Sequence, residues 1–338
     1  MVGKVKNNMK AAGRQKDLTT GSISGSLILF ALPLLAGSLV QQLYNTVDLI
    51  FVGNFISKSA SAAVGTSTLL ITCLIGIFGG LGVGSGIVIA QIYGSGDMHR
   101  LKAAIHNTAA MIVVSSIFMM LLGYLLTPFY LRLVRTPQEI MGSASGYLRI
   151  YFLSFFSVVM YNFGSGILRA LGDSKSPLYA QIAGGLMNVV MDYLFVHILK
   201  DGVNGVAWAT LIAQGISAVL SFSVLLRTLR GIKGDQDAAL KTGTGSGWKH
   251  IFSMTELRTM TGIALPSILQ QSTVSIGMML VQSVVNSFGS QMLAGYSAAM
   301  RVESICVVPM SAMGNAISSY TAQNIGAEQK DRVREGYR

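Results

Sequence analysis

The sequence predicts an all-α membrane protein, a polytopic helical bundle, on three observations. Only 12% of the 338 residues are charged, 51% are apolar, and the mean hydropathy is +0.55. A soluble protein carries about 25% charged residues, so this chain has too few of them to cover a water-facing surface. The second observation is a series of eight long apolar segments, and the third is an unequal distribution of Lys and Arg between the loops that join them.

The eight apolar segments set the order of the elements. A spanning helix needs about 20 mostly apolar residues. The alternating pattern of a β-barrel strand is absent from these runs, so each run predicts a helix. The first run is too long for the apolar region of a signal peptide, and it lacks a small-residue cleavage site. Predicted helices 1 to 8 are Leu27–Phe55, Ala62–Tyr93, Ala103–Leu126, Ser143–Leu168, Pro177–Leu199, Gly205–Leu229, Gly262–Phe288 and Met292–Ile325.

The positions of Lys and Arg predict the orientation of the bundle. Most of the 25 lie in the N-terminal segment, in the loops after helices 2, 4 and 6, and in the C-terminal tail. The remaining six lie in the opposite loops or within spans: Lys58, Arg132, Arg135, Lys200, Arg149 and Arg301. This bias predicts a multi-pass membrane protein with a cytoplasmic N-terminus, and we expect its location to be the bacterial plasma (inner) membrane. It also explains the net charge of +11 without a nucleic-acid partner, because no stacking aromatics accompany the basic residues.

An internal repeat predicts two lobes. Ala31-Leu32-Pro33 of helix 1 matches Ala264-Leu265-Pro266 of helix 7. A second match, at a constant spacing, pairs helix 2 with helix 8: Gly82, Ala90, Gln91 and Gly94 with Gly314, Ala322, Gln323 and Gly326. Matches in successive helices predict two six-helix lobes related by an axis along the membrane normal. Eight transmembrane helices are present of an expected twelve, and we expect the natural protein to continue for four more.

The repeat also gives the domain boundaries. Residues 1–25 form a cytoplasmic N-terminal segment, and residues 26–230 form an N-lobe of six transmembrane helices. Residues 231–258 form a cytoplasmic inter-lobe linker, which contains several Gly and Thr residues. Residues 259–338 begin a C-lobe with two transmembrane helices, the remainder of which is missing.

Acidic residues within the spans are the candidates for chemistry, because a carboxylate at mid-bilayer costs about 2.5–3.5 kcal/mol on insertion scales. Asp48 lies in a polar stretch of helix 1, and Tyr44 and Asn45 share its face at helical spacing. That face predicts cation or proton binding in an internal cavity. The alternative is a hydrogen-bonded polar patch that fixes helix packing.

Helix 5 carries a second candidate. Asn188 and Asp192 are four residues apart, so both side chains point the same way. With a hydroxyl such as that of Thr210 on helix 6, they provide the oxygen ligands that suit a hard cation, and a carboxyl in a dry pocket can carry a proton instead. The alternative is an Asp–Asn clamp between helices. Glu303 on helix 8 is the third acid; Arg301 lies two residues away and does not share its face.

Enzymatic motifs are absent from the sequence. No phosphate-binding loop, nucleophile elbow or zinc-binding motif occurs, so we expect neither an enzyme nor a cofactor beyond a coupling ion. Glycines of helix 2 such as Gly76, Gly80 and Gly84 form small-residue ladders that let helices approach closely.

Several stretches resemble the multidrug and toxic compound extrusion (MATE) family, in the wider group that includes lipid-linked oligosaccharide flippases. They are the helix 1 run from Gln41 to Asp48 followed by Gly53, the loop Arg169-Ala170-Leu171-Gly172-Asp173-Ser174-Lys175-Ser176-Pro177, the pair Asn188 and Asp192, and the run from Gly202 to Thr210. The similarity extends from about Gly21 to the last residue. The Arg-Ala-x-Gly-Asp-x-x-x-Pro loop is its most specific part.

The resemblance implies a V of two six-helix lobes that alternates between inward- and outward-open states. It implies export of cationic amphipathic compounds in exchange for H⁺ or Na⁺. By motif match, Asp48, Asn188, Asp192 and Thr210 correspond to the family's N-lobe cation site, where Na⁺ or a proton would bind. Candidate residues for the substrate cavity are Gln41, Gln42, Tyr44, Asn45, Glu303 and Arg301.

Two alternatives to a drug antiporter stay open. A flippase for a lipid-linked anionic precursor should line its cavity with several Arg and Lys. Here the interior candidates are Arg149 and Arg301 against three acids, which favours small cationic substrates. The other alternative is an inactive, truncated membrane protein that keeps the fold.

Overall fold

A computed structural model of the chain describes residues 17–55, 71, 82–133, 136, 138–237, 254–288 and 290–338. Every regular element in these ranges is a helix, which confirms the predicted fold class. The helices, numbered in chain order, are α1 (Ile23–Phe55), α2 (described over 82–95), α3 (Met98–Leu133), α4 (Gln138–Ala170), α5 (Lys175–Asp192), α6 (Gly202–Asp237), α7 (Met254–Ser287), α8 (Ser290–Gly326) and α9 (Lys330–Gly336).

Five of the described helices are long and apolar enough to cross a membrane: Ile23–Asp48, Met98–Arg132, Gln138–Ala170, Lys175–Ile198 and Gly202–Leu229. The helices α7 and α8 have 34 and 37 residues, about 50 Å at 1.5 Å per residue. Large apolar side chains are exposed along them, including Leu265, Leu280 and Met310, as expected of surfaces that face lipid. The first part of predicted helix 2 and residues 238–253 of the predicted linker lie outside the described ranges.

The observed helices run past most of the predicted boundaries. For example, α3 begins at Met98 and ends at Leu133, whereas the apolar run is Ala103–Leu126. Hydropathy marks only the part of a helix in the hydrocarbon, while the backbone hydrogen bonds continue into the interfacial region. Predicted helix 5 differs in kind, because α5 ends at Asp192 and a π-helix, Tyr193–Ile198, follows it.

Small residues bring the helices of the predicted N-lobe, α1 to α6, close together. The centre of the lobe is α4, which packs against α3 and α6, while α5 packs against α6 and α1. A Cβ at Gly184 of α5 would collide with the hydroxyl of Ser217 on α6. That hydroxyl donates to the carbonyl oxygen of Ala180 at 3.0 Å. Such glycine contacts and interhelical hydrogen bonds are typical of helix packing in membranes.

The turn between α4 and α5 is a Schellman motif followed by a side-chain cap. Gly172 has a φ of +86°, a left-handed conformation that favours glycine. The Asp173 amide donates to the Leu168 carbonyl at 2.8 Å and the Gly172 amide to the Arg169 carbonyl at 2.9 Å. The buried Asp173 carboxylate then accepts from the amides of Lys175 (3.1 Å) and Ser176 (2.9 Å), which begin α5. Gly172 and Asp173, which belong to the most specific stretch of the family resemblance, therefore form the turn that reverses the chain.

The predicted N-lobe and C-lobe contact each other through α1 and α8, at the end of the bundle where α1 begins and α8 ends. Phe30 of α1 lies with Ala316 and Tyr320 of α8 in one buried apolar cluster. The side-chain amide of Asn324 donates to the Leu18 carbonyl at 3.1 Å. From α9, the Arg332 guanidinium donates to the Gly21 carbonyl at 3.0 Å and to the Asn324 side-chain oxygen at 3.3 Å. This end of the bundle, the "closed end" below, joins the lobes through hydrogen bonds.

Candidate functional site

The first candidate site lies in the N-lobe, between α1 and α5. The carboxyl of Asp48 on α1 lies within interaction distance of Asp192 and Asn188 on α5. Asp192 is 0% and Asn188 1% exposed. The i, i+4 spacing predicted their common direction, and the packing of α5 on α1 brings Asp48 to them. We call Asp48, Asn188 and Asp192 the acid cluster.

Polar atoms of the acid cluster have no hydrogen-bond partner among the described residues. They are Oδ1 of Asp48, both carboxylate oxygens of Asp192, and both side-chain polar atoms of Asn188. Buried polar groups in proteins are nearly always hydrogen-bonded, so these unpaired atoms are available to bind an ion or water. Oxygen atoms of carboxylates and amides suit a hard monovalent cation or a proton. The residues present therefore fit a coupling ion.

Two further features of the structure mark the same place. Tyr147 of α4 is buried and lies near both Asp48 and Asp192. The α-helical hydrogen-bond pattern of α5 ends at Asp192, and the π-helix starts with the next residue. Short π-helical segments occur frequently at functional sites, where they change the direction of a side chain. The sequence pattern predicted neither the π-helix nor the position of Tyr147 beside the acid cluster.

One helical turn before Asp48, a second polar layer crosses the lobe. The side-chain amide of Gln214 on α6 donates to the Tyr44 hydroxyl at 3.0 Å. Gln181 of α5 is also within interaction distance of that hydroxyl. A Cβ at Gly185 would lie 3.4 Å from the Tyr44 ring, so glycine leaves room for the ring there. The sequence did not predict that α5 and α6 lie beside α1, so it did not predict these two glutamines as neighbours of Tyr44.

The other predicted site residues lie in different surroundings. The hydroxyl of Thr210 is half-buried and donates to the Val206 carbonyl of its own helix at 3.0 Å. Glu303 of α8 is exposed, and the side chain of Arg301 lies outside the described part of the structure. On α1, Gln42 and Asn45 are exposed, because the side of that helix that packs on its neighbours carries the buried Tyr44 and the half-buried Asp48. Gln41 is exposed but lines a cavity.

Two cavities open near the closed end. The cleft cavity, about 200 Å³, lies between α2, α4 and α8 and is lined by Gly82, Arg169 and Ser318 among others. The N-lobe cavity, about 80 Å³, lies between α1, α4 and α5 and includes Gln41 and Gln181. Sequence reasoning counted Arg169 as a loop residue, and the structure places it on both cavities. Its position at the end of an apolar run gave no sign of this.

Over the described ranges, no group of three or more His, Cys, Asp and Glu side chains could hold a metal ion. The acid cluster contributes only two carboxylates, which fits a monovalent ion better than a divalent metal.

The chain matches the family model described as MatE over residues 33–194 and 266–338, more than half of its length. The probable multidrug resistance protein YoeA of Bacillus subtilis (strain 168) is 31% identical over 323 residues, which cover 93% of this chain and 67% of that protein. YpnP, another probable multidrug resistance protein of the same strain, is 29% identical over 318 residues and is covered to 68%. The chain thus spans about two thirds of the length of these relatives.

Solved transporter structures have the same fold. A MOP superfamily transporter from Pyrococcus furiosus Vc1 superimposes with a TM-score of 0.83 at 25% identity, covering 95% of this chain and 69% of that one. A multidrug resistance MATE family transporter in an outward-facing conformation gives a TM-score of 0.82 at 25% identity, with the same coverage. These findings confirm the resemblance that the motifs indicated.

Proposed function

This chain belongs to the MatE family, and from that premise we propose that it exports cationic amphipathic compounds in exchange for H⁺ or Na⁺. The relatives named as probable multidrug resistance proteins support drugs and toxic compounds as the substrate class. The acid cluster supports ion coupling, since its buried oxygens lack partners within the described structure. This single observation carries the mechanistic part of the proposal.

Repulsion between two carboxylates is the proposed basis of coupling. The half-buried Asp48 and the fully buried Asp192 lie close together, and two negative charges repel strongly where they are shielded from water. A proton or Na⁺ between them removes the repulsion and lets α1 and α5 pack closely. Loss of the ion separates the carboxylates and loosens that packing. The ion therefore shifts the equilibrium between two packings of the lobe, because its affinity for them differs.

The membrane potential drives this exchange whenever a net positive charge enters the cell in each cycle. Moving one charge through 100 mV provides about 2.3 kcal/mol. At about 1.4 kcal/mol per tenfold change, this supports a substrate gradient of roughly fiftyfold. An exchange of one H⁺ or Na⁺ for one monovalent cation moves no net charge, and the concentration gradient of the ion then supplies the energy.

Orientation follows from the basic residues. Arg100, Lys102, Arg332 and Arg334 all lie near the closed end. By the positive-inside rule, we assign the closed end to the cytoplasm, together with the N-terminus. With this orientation the molecule is closed at its cytoplasmic end, and the cleft cavity lies on the membrane side of that closed end.

The test of this function is efflux of rhodamine 6G, a fluorescent lipophilic cation, from transporter-deficient bacteria that express the full-length protein. We expect efflux that collapses either with a protonophore or on removal of Na⁺, which identifies the ion. Asp192→Asn should lower efflux at least tenfold at equal membrane abundance. Asp201→Asn, an exposed acid outside the cluster, is the matched control. Equal efflux by wild type and Asp192→Asn would overturn the proposal.

A further inference from the structure

Arg169 occupies an unusual position between the two cavities. It lies in the last turn of α4, is half-buried, and lines both the cleft cavity and the N-lobe cavity. Asn162, two turns earlier on the same helix, lines both cavities as well. These two side chains therefore separate the space between the lobes from the space inside the N-lobe.

The positive charge of Arg169 has no carboxylate partner among the described residues. The nearest acid in sequence, Asp173, uses Oδ1 for the amides of Lys175 and Ser176 and Oδ2 for the Ser176 hydroxyl at 2.6 Å. The electrostatic neighbour of Arg169 is Tyr161. The Tyr161 hydroxyl donates to the Pro177 carbonyl at 3.2 Å. A half-buried guanidinium without a carboxylate partner is stabilised further when an anion reaches it.

Capping of the C-terminus of α4 does not explain why an arginine occupies position 169. An Arg in the last turn of a helix can bind the terminal carbonyl groups. Here other donors already occupy them. The carbonyls of Ile167, Leu168 and Arg169 accept from the backbone amides of the following turn. The Ala170 carbonyl accepts from the side-chain amide of Gln323 at 2.8 Å. The guanidinium therefore remains available to a ligand.

The cleft cavity is built for a small polar group. On the α8 side it is lined by Asn315, Ser318 and Ser319, whose side chains can donate hydrogen bonds. Gly82 and Gly166 lie on its other walls and leave it open. Its volume of about 200 Å³ is less than that of a whole drug site, about 300–1,000 Å³. The cavity therefore fits one group of a larger ligand.

We propose that the cleft cavity is an anion subsite, in which Arg169 binds a carboxylate or phosphate group of an amphipathic ligand. The inference rests on the proposed function and assigns the anionic group of the ligand to this cavity. The planar guanidinium can bind such a group through two parallel hydrogen bonds. Asn315 and Ser318 approach the same space from α8, so a ligand bound there contacts both lobes.

The experiment compares two dyes that differ only at the proposed contact. Rhodamine 6G is an ester and a cation, and rhodamine 19 is the corresponding free acid and a zwitterion. Transport of each is measured in phosphatidylcholine vesicles that contain the full-length protein, with and without phosphatidylglycerol. Binding of rhodamine 19 to the purified protein in nanodiscs is measured by fluorescence polarisation, so the subsite is tested even if rhodamine 6G is not transported and the proposed function fails.

Three variants make the comparison specific. Arg169→Gln removes the charge, and we expect about a tenfold loss of rhodamine 19 binding and transport, the size of one charge-assisted contact, with rhodamine 6G changed less than about twofold. Asn315→Asp keeps the arginine and places a carboxylate in its cavity, so it should cause the same selective loss. Lys175→Gln removes an exposed charge next to the α4–α5 turn and should change neither dye.

The results separate the possible sources of the anion. Selective loss of rhodamine 19 assigns the subsite to the transported compound. If instead phosphatidylglycerol stimulates transport of both dyes, and Arg169→Gln removes only that stimulation, the subsite takes a lipid phosphate. The proposal is overturned if neither rhodamine 19 binding nor stimulation by phosphatidylglycerol changes in Arg169→Gln and Asn315→Asp. It is also overturned if both variants lower the two dyes equally in phosphatidylcholine alone, because the role of Arg169 is then structural.

Discussion

Gly94 of α2 lies against the backbone carbonyl of Gln323 in α8, too close for a Cβ atom to fit between them. The reciprocal contact is also present, since a Cβ at Gly326 of α8 would collide with the carbonyl of Gln91 in α2. These four residues are the equivalent positions of the sequence repeat. The two helices therefore cross with local two-fold symmetry at the closed end.

Gly94→Ala and Gly326→Ala should both destabilise this crossing, by about 1–3 kcal/mol each, because backbone must move to accept the methyl group. Thermal unfolding of the purified protein, followed by size-exclusion chromatography with fluorescence detection, measures the effect. Gly82→Ala and Gly314→Ala are matched controls, since a Cβ at either position meets nothing within 4 Å. Equal melting temperatures for all four variants would show that the crossing is not tight.

Arg332 should hold the closed end shut. It donates to the Gly21 carbonyl and to Asn324, and Leu18 beneath it is 0% exposed. We expect Arg332→Gln to speed maleimide labelling of a cysteine placed at Leu18, in a background without the native cysteines. Arg334→Gln removes an exposed charge from the same short helix and should leave the labelling rate unchanged. The same rate in both variants would mean that Arg332 does not hold the lobes together.

Tyr44→Phe tests the polar layer below the acid cluster. The variant leaves the ring and removes the hydroxyl that accepts from Gln214 at 3.0 Å. We expect a loss of about 0.5–1.5 kcal/mol in the free energy of unfolding. A double-mutant cycle with Gln214→Leu isolates the pair, because the two changes should be less than additive. Strict additivity would show that the two side chains contribute independently.

Asp173→Ala should lower stability by about 0.5–2 kcal/mol, because the first amides of α5 lose their acceptor. Asp173→Asn retains one acceptor oxygen and should lose less. Efflux per correctly folded molecule should stay near the wild-type value in both variants, which is measured by normalising transport to the monodisperse fraction. A loss of transport without a loss of stability would give Asp173 a role beyond the turn.

The sequence predicts much of the fold for a simple physical reason. Spanning helices need long apolar runs, and these are visible in one dimension. The repeat predicted the matching positions of α2 and α8 as well. What it could not show is which helices touch. The sequence therefore did not predict that Gln181 and Gln214 lie next to Tyr44, and it placed Arg169 in a loop.

The acid cluster was predictable in part for the same reason. The i, i+4 spacing of Asn188 and Asp192 follows from helix geometry alone, whereas their contact with Asp48 depends on how α1 packs on α5. The π-helix after Asp192 left no mark in the hydropathy pattern, because it shifts backbone hydrogen bonds without changing the apolar run. Whether Thr210 joins the site stays a prediction.

The most direct test of the central claim is to count the ions that a substrate displaces. Rhodamine 6G is added to the purified full-length protein in weakly buffered medium, and released protons are measured with a pH indicator; release of bound ²²Na⁺ is measured in parallel. We expect release of about one ion per wild-type molecule and none from Asp192→Asn, with Asp201→Asn behaving as wild type. Equal release from wild type and Asp192→Asn would contradict the central claim.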